Sequence, residues 1–299
     1  MSMKLKFLLW AAMSLTFTGV FMSCGDEGVT EEMMEEMIDQ KLKEKLEEEK
    51  EGKEDEEGKE ENDEKGEDEK NEEVSDEILD ILEFVPTSDS TVKVNDIKDR
   101  FRTEITIPST IQVYGKEYKV TSLNGDAFEE SNVKSVKLAE GFTEIPDNAF
   151  YECSGLTSIE IPSSVTSIGD SAFYGCRGLT SIEIPASVTS IGKHAFSYCS
   201  GLTSIEIPAS VTSIRERAFE GCSGLTSIEI SSSVISIGKS AFSFCNGLTS
   251  IEIPSSVKSI GGWAFYGCQN ADIVIDNSEE NVTVGRDAFR YCKSITWKK

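Results

Sequence analysis

The stretch that decides the fold is LTSIEIPSSVTSIGDSAFYGCRG, residues 156–178. Near-copies of it begin at Leu179, Leu202, Leu225 and Leu248, each 23 residues after the last. A fixed period of this length is typical of repeat architectures, in which one structural unit recurs along the chain. The sequence therefore predicts about eight stacked units between residues 105 and 299.

Within one unit, the alternation of side chains predicts which residues face inward. Ile159 and Ile161 flank Glu160, so strand geometry places the two isoleucines inside and the glutamate outside. Pro162 ends the strand, since proline cannot donate to a ladder. The Ala-Phe pair, which occurs eight times in the chain, predicts a short helical turn that closes the unit. Burial of about 1.5–3 kcal/mol per large side chain cannot offset a backbone entropy cost of about 1–2 kcal/mol per residue in a lone unit, so the units must stack.

Cysteine recurs in the same register. Adjacent strands lie about 4.8 Å apart and equivalent side chains point the same way, whereas a disulfide needs facing Cβ atoms about 3.5–4.5 Å apart. We therefore expect a row of buried free thiols. The row consists of Cys153, Cys176, Cys199, Cys222, Cys245, Cys268 and Cys292.

Nothing in the sequence indicates catalysis. His194 is the only histidine and stands at a position that other units fill with Ser, Arg or Trp. The repeated Ser and Thr have no paired base, no Gly-rich phosphate loop follows a strand, and no CxxC pair suggests a metal site. We expect no catalytic residues, no metal and no cofactor.

The charge is concentrated in one segment. The chain has a formal net charge of -25, and 29 acidic residues against eight lysines lie between Asp26 and Glu83. Because this acidic tract repels phosphate backbones, nucleic acid is excluded as an expected partner. Without a large apolar residue from Glu47 to Glu73, the tract predicts disorder. It would serve as a spacer, and calcium capture by it is a weaker alternative.

The N-terminus reads as a targeting segment. Lys4 and Lys6 precede a short apolar run that ends near Cys24, which is typical of a signal peptide. Cys24 resembles the lipidated cysteine of a bacterial lipobox. From Thr30 an amphipathic helix is predicted, with a short coiled coil between copies as an alternative. The predicted segments are a signal peptide at 1–23, a lipid-anchored N-terminus at 24–46, an acidic spacer at 47–74, an N-terminal cap at 75–104 and the repeat domain at 105–299.

The ends of the repeat domain depart from the pattern, as expected of capping elements. Ser75 to Phe84 predicts a helix, and Thr91 to Val94 a strand. A β-hairpin is expected around Tyr114-Gly115-Lys116, in an insertion from Gln112 to Val120. Ile295 to Trp297 predicts a last strand.

The pattern Leu-x-x-Ile-x-Ile-Pro-x-x-Val-x-x-Ile-Gly-x-x-Ala-Phe-x-x-Cys resembles the Treponema-type leucine-rich repeat of BspA-like surface proteins, over about residues 105–299. The resemblance implies a leucine-rich-repeat solenoid of right-handed parallel β coils with short helical turns. It also implies a protein at the bacterial outer membrane or cell surface, with adhesion to extracellular or host-matrix proteins such as fibronectin or fibrinogen.

Two surfaces are candidate binding sites on this monomer. The first is an outward row of glutamates, which is either a solvated face or a site for a basic partner or divalent cations. The second is an aromatic edge beside the Ala-Phe pairs, which is either packing between units or a binding stripe. We expect protein adhesion, with a glycan or cell-wall binding module, or a structural surface-coat component, as alternatives. The glutamates are Glu160, Glu183, Glu206, Glu229 and Glu252, and the aromatics are Tyr151, Tyr174, Tyr198, Phe244, Tyr266 and Tyr291.

Overall fold

The structure is a computed structural model that describes residues 77–113 and 115–298. The predicted signal peptide, Cys24, the helix from Thr30 and the acidic spacer lie outside these residues. No helix among the described residues has the length and apolar character needed to cross a bilayer.

The repeats form a parallel β solenoid, in which each 23-residue unit is one coil. Register follows the repeat directly: Ser204, Ile205 and Glu206 pair with Ser227, Ile228 and Glu229. Each typical coil contributes a strand to a first row and a two-residue strand to a second row. The first row contains β3 (Glu104–Ile107), β6 (Ser135–Leu138), β8 (Ser158–Glu160), β11 (Ser204–Glu206), β13 (Ser227–Glu229), β15 (Ser250–Ile253), β17 (Asp272–Ile275) and β19 (Ser294–Trp297).

The second row consists of the short strand that follows the first-row strand within each coil. It is also parallel, with Ser236 and Ile237 paired to Ser259 and Ile260. It contains β7 (Glu144–Ile145), β9 (Ser167–Ile168), β10 (Ser190–Ile191), β12 (Ser213–Ile214), β14 (Ser236–Ile237), β16 (Ser259–Ile260) and β18 (Thr283–Val284). A 3-10 helix, Glu279–Asn281, fills the irregular segment before β18.

A small mixed sheet caps the N-terminal end, as predicted. Its strands are β1 (Leu82–Pro86), β2 (Thr91–Ile97), β4 (Thr110–Val113) and β5 (Lys116–Leu123), in the order β1-β2-β5-β4. The antiparallel β4–β5 pair confirms the hairpin. The predicted helix is wrong at its C-terminal end: residues 77–81 are helical, but the chain becomes strand at Leu82 because it pairs antiparallel with β2.

Stacked side chains fill the interior of the coils. The Ala-Phe phenylalanines form a continuous stack, with ring centroids 5.1–5.7 Å apart from Phe128 to Phe289. The backbones approach so closely that a Cβ added to Gly201 would lie 2.3 Å from the carbonyl oxygen of Arg177. Glycine is therefore required there by the stacking of one coil on the next.

The corner of each coil, residues 170–176 and their equivalents, differs from the predicted short helical turn. Among the described residues these corners are hydrogen-bonded turns, and Ser171 adopts a φ of 55°. In a helix the backbone N–H groups would bond along their own chain. Here Phe173 and Gly175 instead donate to the carbonyl oxygens of Ala195 and Ser197 in the next coil, at 2.8 Å each. The bonds between coils replace the helix.

The cysteines stand on the inner side of these corners as free thiols, as expected. The six from Cys153 to Cys268 are buried, which confirms the expectation for them, whereas Cys292 is only half-buried. The Cys199 Sγ donates to the carbonyl oxygen of Phe173 in the preceding coil at 3.0 Å. The same oxygen accepts the backbone N–H of Cys176 at 3.2 Å. Each thiol thus donates to the second lone pair of a buried carbonyl oxygen. The cysteine position therefore requires a small side chain that can donate a hydrogen bond.

Candidate binding surfaces

The first surface is the outward side of the first strand row, which carries the glutamate row: Glu160, Glu183, Glu206, Glu229 and Glu252. All five side chains are exposed, as strand alternation predicted. Glu206 and Glu229 are direct cross-strand partners. Neighbouring carboxylates about 5 Å apart repel by about 0.8 kcal/mol in water.

Lysines neutralise the two ends of the glutamate row. The Lys137 Nζ lies 2.7 Å from a carboxylate oxygen of Glu160, and the Lys298 Nζ lies 2.5 Å from one of Glu252. In the described part of the chain, no cation lies within salt-bridge distance of the three central glutamates, Glu183, Glu206 and Glu229. The negative potential of this face is therefore centred on the middle of the solenoid.

Hydroxyl groups flank the glutamates and hold the face rigid. Thr203 donates both its backbone N–H and its Oγ1 hydroxyl to the carbonyl oxygen of Thr180, at 3.0 and 3.1 Å. Thr226 repeats the pair of bonds to Thr203. Because these donors are used between coils, the side chains left to meet a partner are mainly the carboxylates and the adjacent exposed serines.

The second surface is the aromatic edge: Tyr151, Tyr174, Tyr198, Phe244, Tyr266 and Tyr291. Its members occupy two neighbouring positions, the first or the second residue after the stacked phenylalanine. Tyr174 and Tyr266 are followed by glycine, whereas Tyr198 and Phe244 are preceded by serine. From Tyr174 to Tyr291 the larger side chain thus alternates between the two positions from coil to coil, with Glu220 at the first position in the coil of Phe219. Tyr151 and Tyr174 occupy the same position.

The glycines of this alternation make room for rings from the preceding coil. A Cβ at Gly221 would lie 2.7 Å from the Cδ1 atom of Tyr198, and a Cβ at Gly267 would lie 2.9 Å from the Cδ1 atom of Phe244. Both glycines have a positive φ, which glycine adopts at no steric cost. The rings of Tyr198 and Phe244 therefore lean over the next coil.

The six rings form two clusters of three. Tyr151 stacks on Tyr174 at 4.8 Å, and Tyr174 meets Tyr198 edge to face at 5.4 Å. Burial is the largest cause that raises the pKa of the Tyr174 phenol. In the second cluster, Phe244, Tyr266 and Tyr291 meet edge to face at 5.5 and 5.3 Å.

The six rings of the aromatic edge differ in exposure. Tyr151, Tyr174 and Tyr266 are half-buried and pack between coils. Tyr198, Phe244 and Tyr291 are 42%, 47% and 54% exposed. The sequence did not show which rings are exposed. The glycines at Gly221 and Gly267, which make room for the rings of the preceding coil, are the signal that could have indicated it.

One polar feature escaped the sequence analysis. An open cavity of about 450 Å³ lies beside the N-terminal cap and is lined by side chains that include Asn95, Arg100, Asn124 and Asp126. Its residues come from separate turns of the cap and first coil, so no local motif marks it. Among the described residues no group of three or more His, Cys, Asp and Glu is arranged to hold a metal ion.

Comparisons with known proteins bear on the repeat domain. The sequence model described as BspA type leucine rich repeat region matches in six copies, over residues 102–223 and 166–296. No curated protein sequence matches the chain.

The solved structures that are similar to this chain include the following three. The T. pallidum leucine-rich repeat protein TpLRR is 26% identical, with 71% of this chain and 87% of that chain covered and a TM-score of 0.51. A leucine-rich repeat protein from Bacteroides ovatus is 25% identical, with coverage of 73% and 76% and a TM-score of 0.43. The pneumococcal vaccine antigen PcpA is 17% identical, with coverage of 73% and 86% and a TM-score of 0.38.

Proposed function

The chain belongs to the BspA-type leucine-rich repeat family, and from that premise we propose that it is a bacterial surface lipoprotein that adheres to proteins through the glutamate row. Repeat solenoids of this kind present extended binding surfaces and typically bind other proteins rather than catalyse reactions. The partner we propose is an extracellular or host-matrix protein with a basic segment.

One observation carries the proposal: among the described residues no cation pairs with the three central carboxylates, while both ends of the same row are neutralised. A row of like charges costs folding energy, and a basic partner would offset this repulsion on binding. Such a face also steers a basic protein during encounter, and this effect weakens as salt is added.

We predict that replacing Glu183, Glu206 and Glu229 together by Gln weakens adhesion at least about tenfold at low salt, a loss of about 1.4 kcal/mol or more. The same variant should be as stable as the wild type or slightly more stable, because it removes about 0.8 kcal/mol of repulsion per neighbouring pair. Surface plasmon resonance against fibronectin, fibrinogen and a polylysine surface measures the affinity, and thermal unfolding measures the stability.

The matched control replaces Glu144, Glu279 and Glu280 by Gln, which are exposed and outside the row. It makes the same change in net charge and should leave adhesion almost unchanged. Equal losses in the two variants would mean that only net charge matters. Failure of the wild-type chain to bind any of the three surfaces would reject the adhesion proposal.

The anchor is a separate part of the proposal and rests on the sequence. A multiply acylated Cys24 would hold the protein on the membrane, because two or more chains bind a bilayer far more stably than one. We predict a lipidated Cys24 at the mature N-terminus, and Cys24→Ala should release the protein into the medium or periplasm. Mass spectrometry of the mature protein checks this, and an unmodified Cys24 would remove the anchor.

A further inference from the structure

The three exposed rings of the aromatic edge have a spacing of their own. Tyr198, Phe244 and Tyr291 stand on every second coil and are each more than two-fifths exposed. Consecutive phenylalanine centroids under this edge are 5.1–5.7 Å apart. The exposed rings therefore recur at about twice that distance along the edge.

This periodicity matches an extended sugar chain. In a β-1,4-linked pyranose chain each ring is about as long as one coil is thick, and successive rings are turned over, so that every second ring presents the same face. Apolar C–H groups on that face pack against aromatic rings, while the hydroxyl groups point sideways. The edge has an exposed ring on every second coil, so each exposed ring would meet the same face of every second sugar.

The charges beside the rings favour an uncharged ligand. They occur as pairs of opposite sign: Arg177 with Glu152, Arg217 with Glu220, Lys239 with Glu216, and Arg290 with Asp287. The edge thus presents no block of one sign for a polyanion or a polycation. It does offer donors and acceptors alongside the rings for sugar hydroxyls.

We propose that the aromatic edge binds a neutral, extended β-1,4-linked glycan. Tyr198, Phe244 and Tyr291 each stack on one sugar, and the three stacked sugars are separated from one another by one intervening sugar. This site goes beyond the adhesion proposed above and lies on different residues, so either function can fail without the other.

A proline-rich peptide is the competing occupant, since its extended helix also docks on aromatic side chains. That helix repeats after about 9.3 Å, or three residues of about 3.1 Å each. This repeat is shorter than two coil spacings at 5.1–5.7 Å each, so the mismatch accumulates over three rings. The geometry therefore favours the glycan.

The test uses isothermal titration of the full chain with cellohexaose, N-acetylchitohexaose, maltohexaose and a proline-rich peptide. We expect one or both β-linked hexasaccharides to bind, and maltohexaose, whose α-linked chain coils, to bind at least about tenfold more weakly, a difference of about 1.4 kcal/mol. Cellobiose should not bind measurably, because it reaches only one exposed ring.

The second part of the test repeats the titrations with variants that lack one exposed ring. Tyr198→Ala and Phe244→Ala should each weaken hexasaccharide binding about tenfold, or about 1.4 kcal/mol, while a cooperative thermal transition above the titration temperature shows that each variant is still folded. Ile235→Ala is the matched control, because Ile235 is 53% exposed but lies away from the aromatic edge. The Gln variant of the glutamate row should bind sugars like the wild type.

Three results would overturn the proposal. The first is the absence of binding by either β-linked hexasaccharide at millimolar concentration. The second is sugar binding that survives the loss of both rings. The third is ring-dependent binding of the proline-rich peptide without any binding of sugars, which would assign the edge to a peptide instead.

Discussion

Phe219→Ala should cost about 3–5 kcal/mol of unfolding free energy, as is usual when a fully buried phenylalanine is truncated. Phe219 has no exposed surface and stacks between Phe196 at 5.5 Å and Phe242 at 5.4 Å. Its removal leaves a cavity that the tightly spaced backbones on either side cannot close. Equilibrium unfolding in urea measures the loss, through the shift of the midpoint at constant slope.

Phe101→Ala is the matched control for this variant. Phe101 is 90% exposed, so its truncation should change stability by no more than about 0.5 kcal/mol. Because each coil touches only its neighbours, the Phe219 variant should also weaken the coupling between the two halves of the solenoid. A single unfolding transition at the wild-type midpoint would contradict the stacked core.

Alkaline pH should destabilise the protein through its buried thiols. Burial raises the pKa of the Cys222 and Cys268 thiols to about 12, and it raises the pKa of Cys176, Cys199 and Cys245 well above the usual value. An unfolded thiol has a pKa of about 8.5. The unfolded chain therefore loses these protons first, and deprotonation favours unfolding.

The direction of this pKa shift determines the pH range in which stability is lost. The contribution of a raised pKa is fully present below about pH 8.5 and is lost as the pH rises toward the folded-state value of about 12, at about 1.4 kcal/mol per pH unit for each fully buried thiol. Urea unfolding under reducing conditions, between about pH 7.5 and 11, should show a steep fall in stability.

Serine provides the control for the thiol prediction. Cys222→Ser and Cys245→Ser keep a donor for the carbonyl oxygens of Phe196 and Phe219 but cannot titrate in this range. Six of the thiols are buried, so the double variant should lose about one third of the pH dependence. An unchanged slope would show that other groups cause the alkaline loss.

The strand rows and the interior could be predicted because they follow from local alternation. Ile159 and Glu160 point to opposite sides because neighbouring residues of a strand alternate. The 23-residue period then places equivalent residues in the same orientation in each coil. The corners could not be predicted in the same way. Phe173 and Gly175 bond to residues in the next coil, and such non-local partners are not encoded in the short pattern around Ala-Phe.

The same distinction holds for the cap and the candidate site. Ile78, Ile81 and Leu82 are all buried, and their i, i+3, i+4 spacing is typical of a helix. Only the non-local pairing with β2 decides that Leu82 begins a strand. On the aromatic edge, the sequence identified all six rings. The placement of Tyr198 and Phe244 depends on Gly221 and Gly267, which lie one coil away from the rings they accommodate.

The alternation of rings and glycines also limits how such a gene can change in length. Unequal recombination between similar DNA repeats would add or remove whole coils. Loss of residues 202–224 alone would bring Tyr198 against Phe244 in place of Gly221, whereas loss of residues 202–247 would bring it against Gly267. In this part of the chain, only the addition or removal of a pair of coils therefore keeps each ring opposite a glycine, although the visible repeat is a single coil.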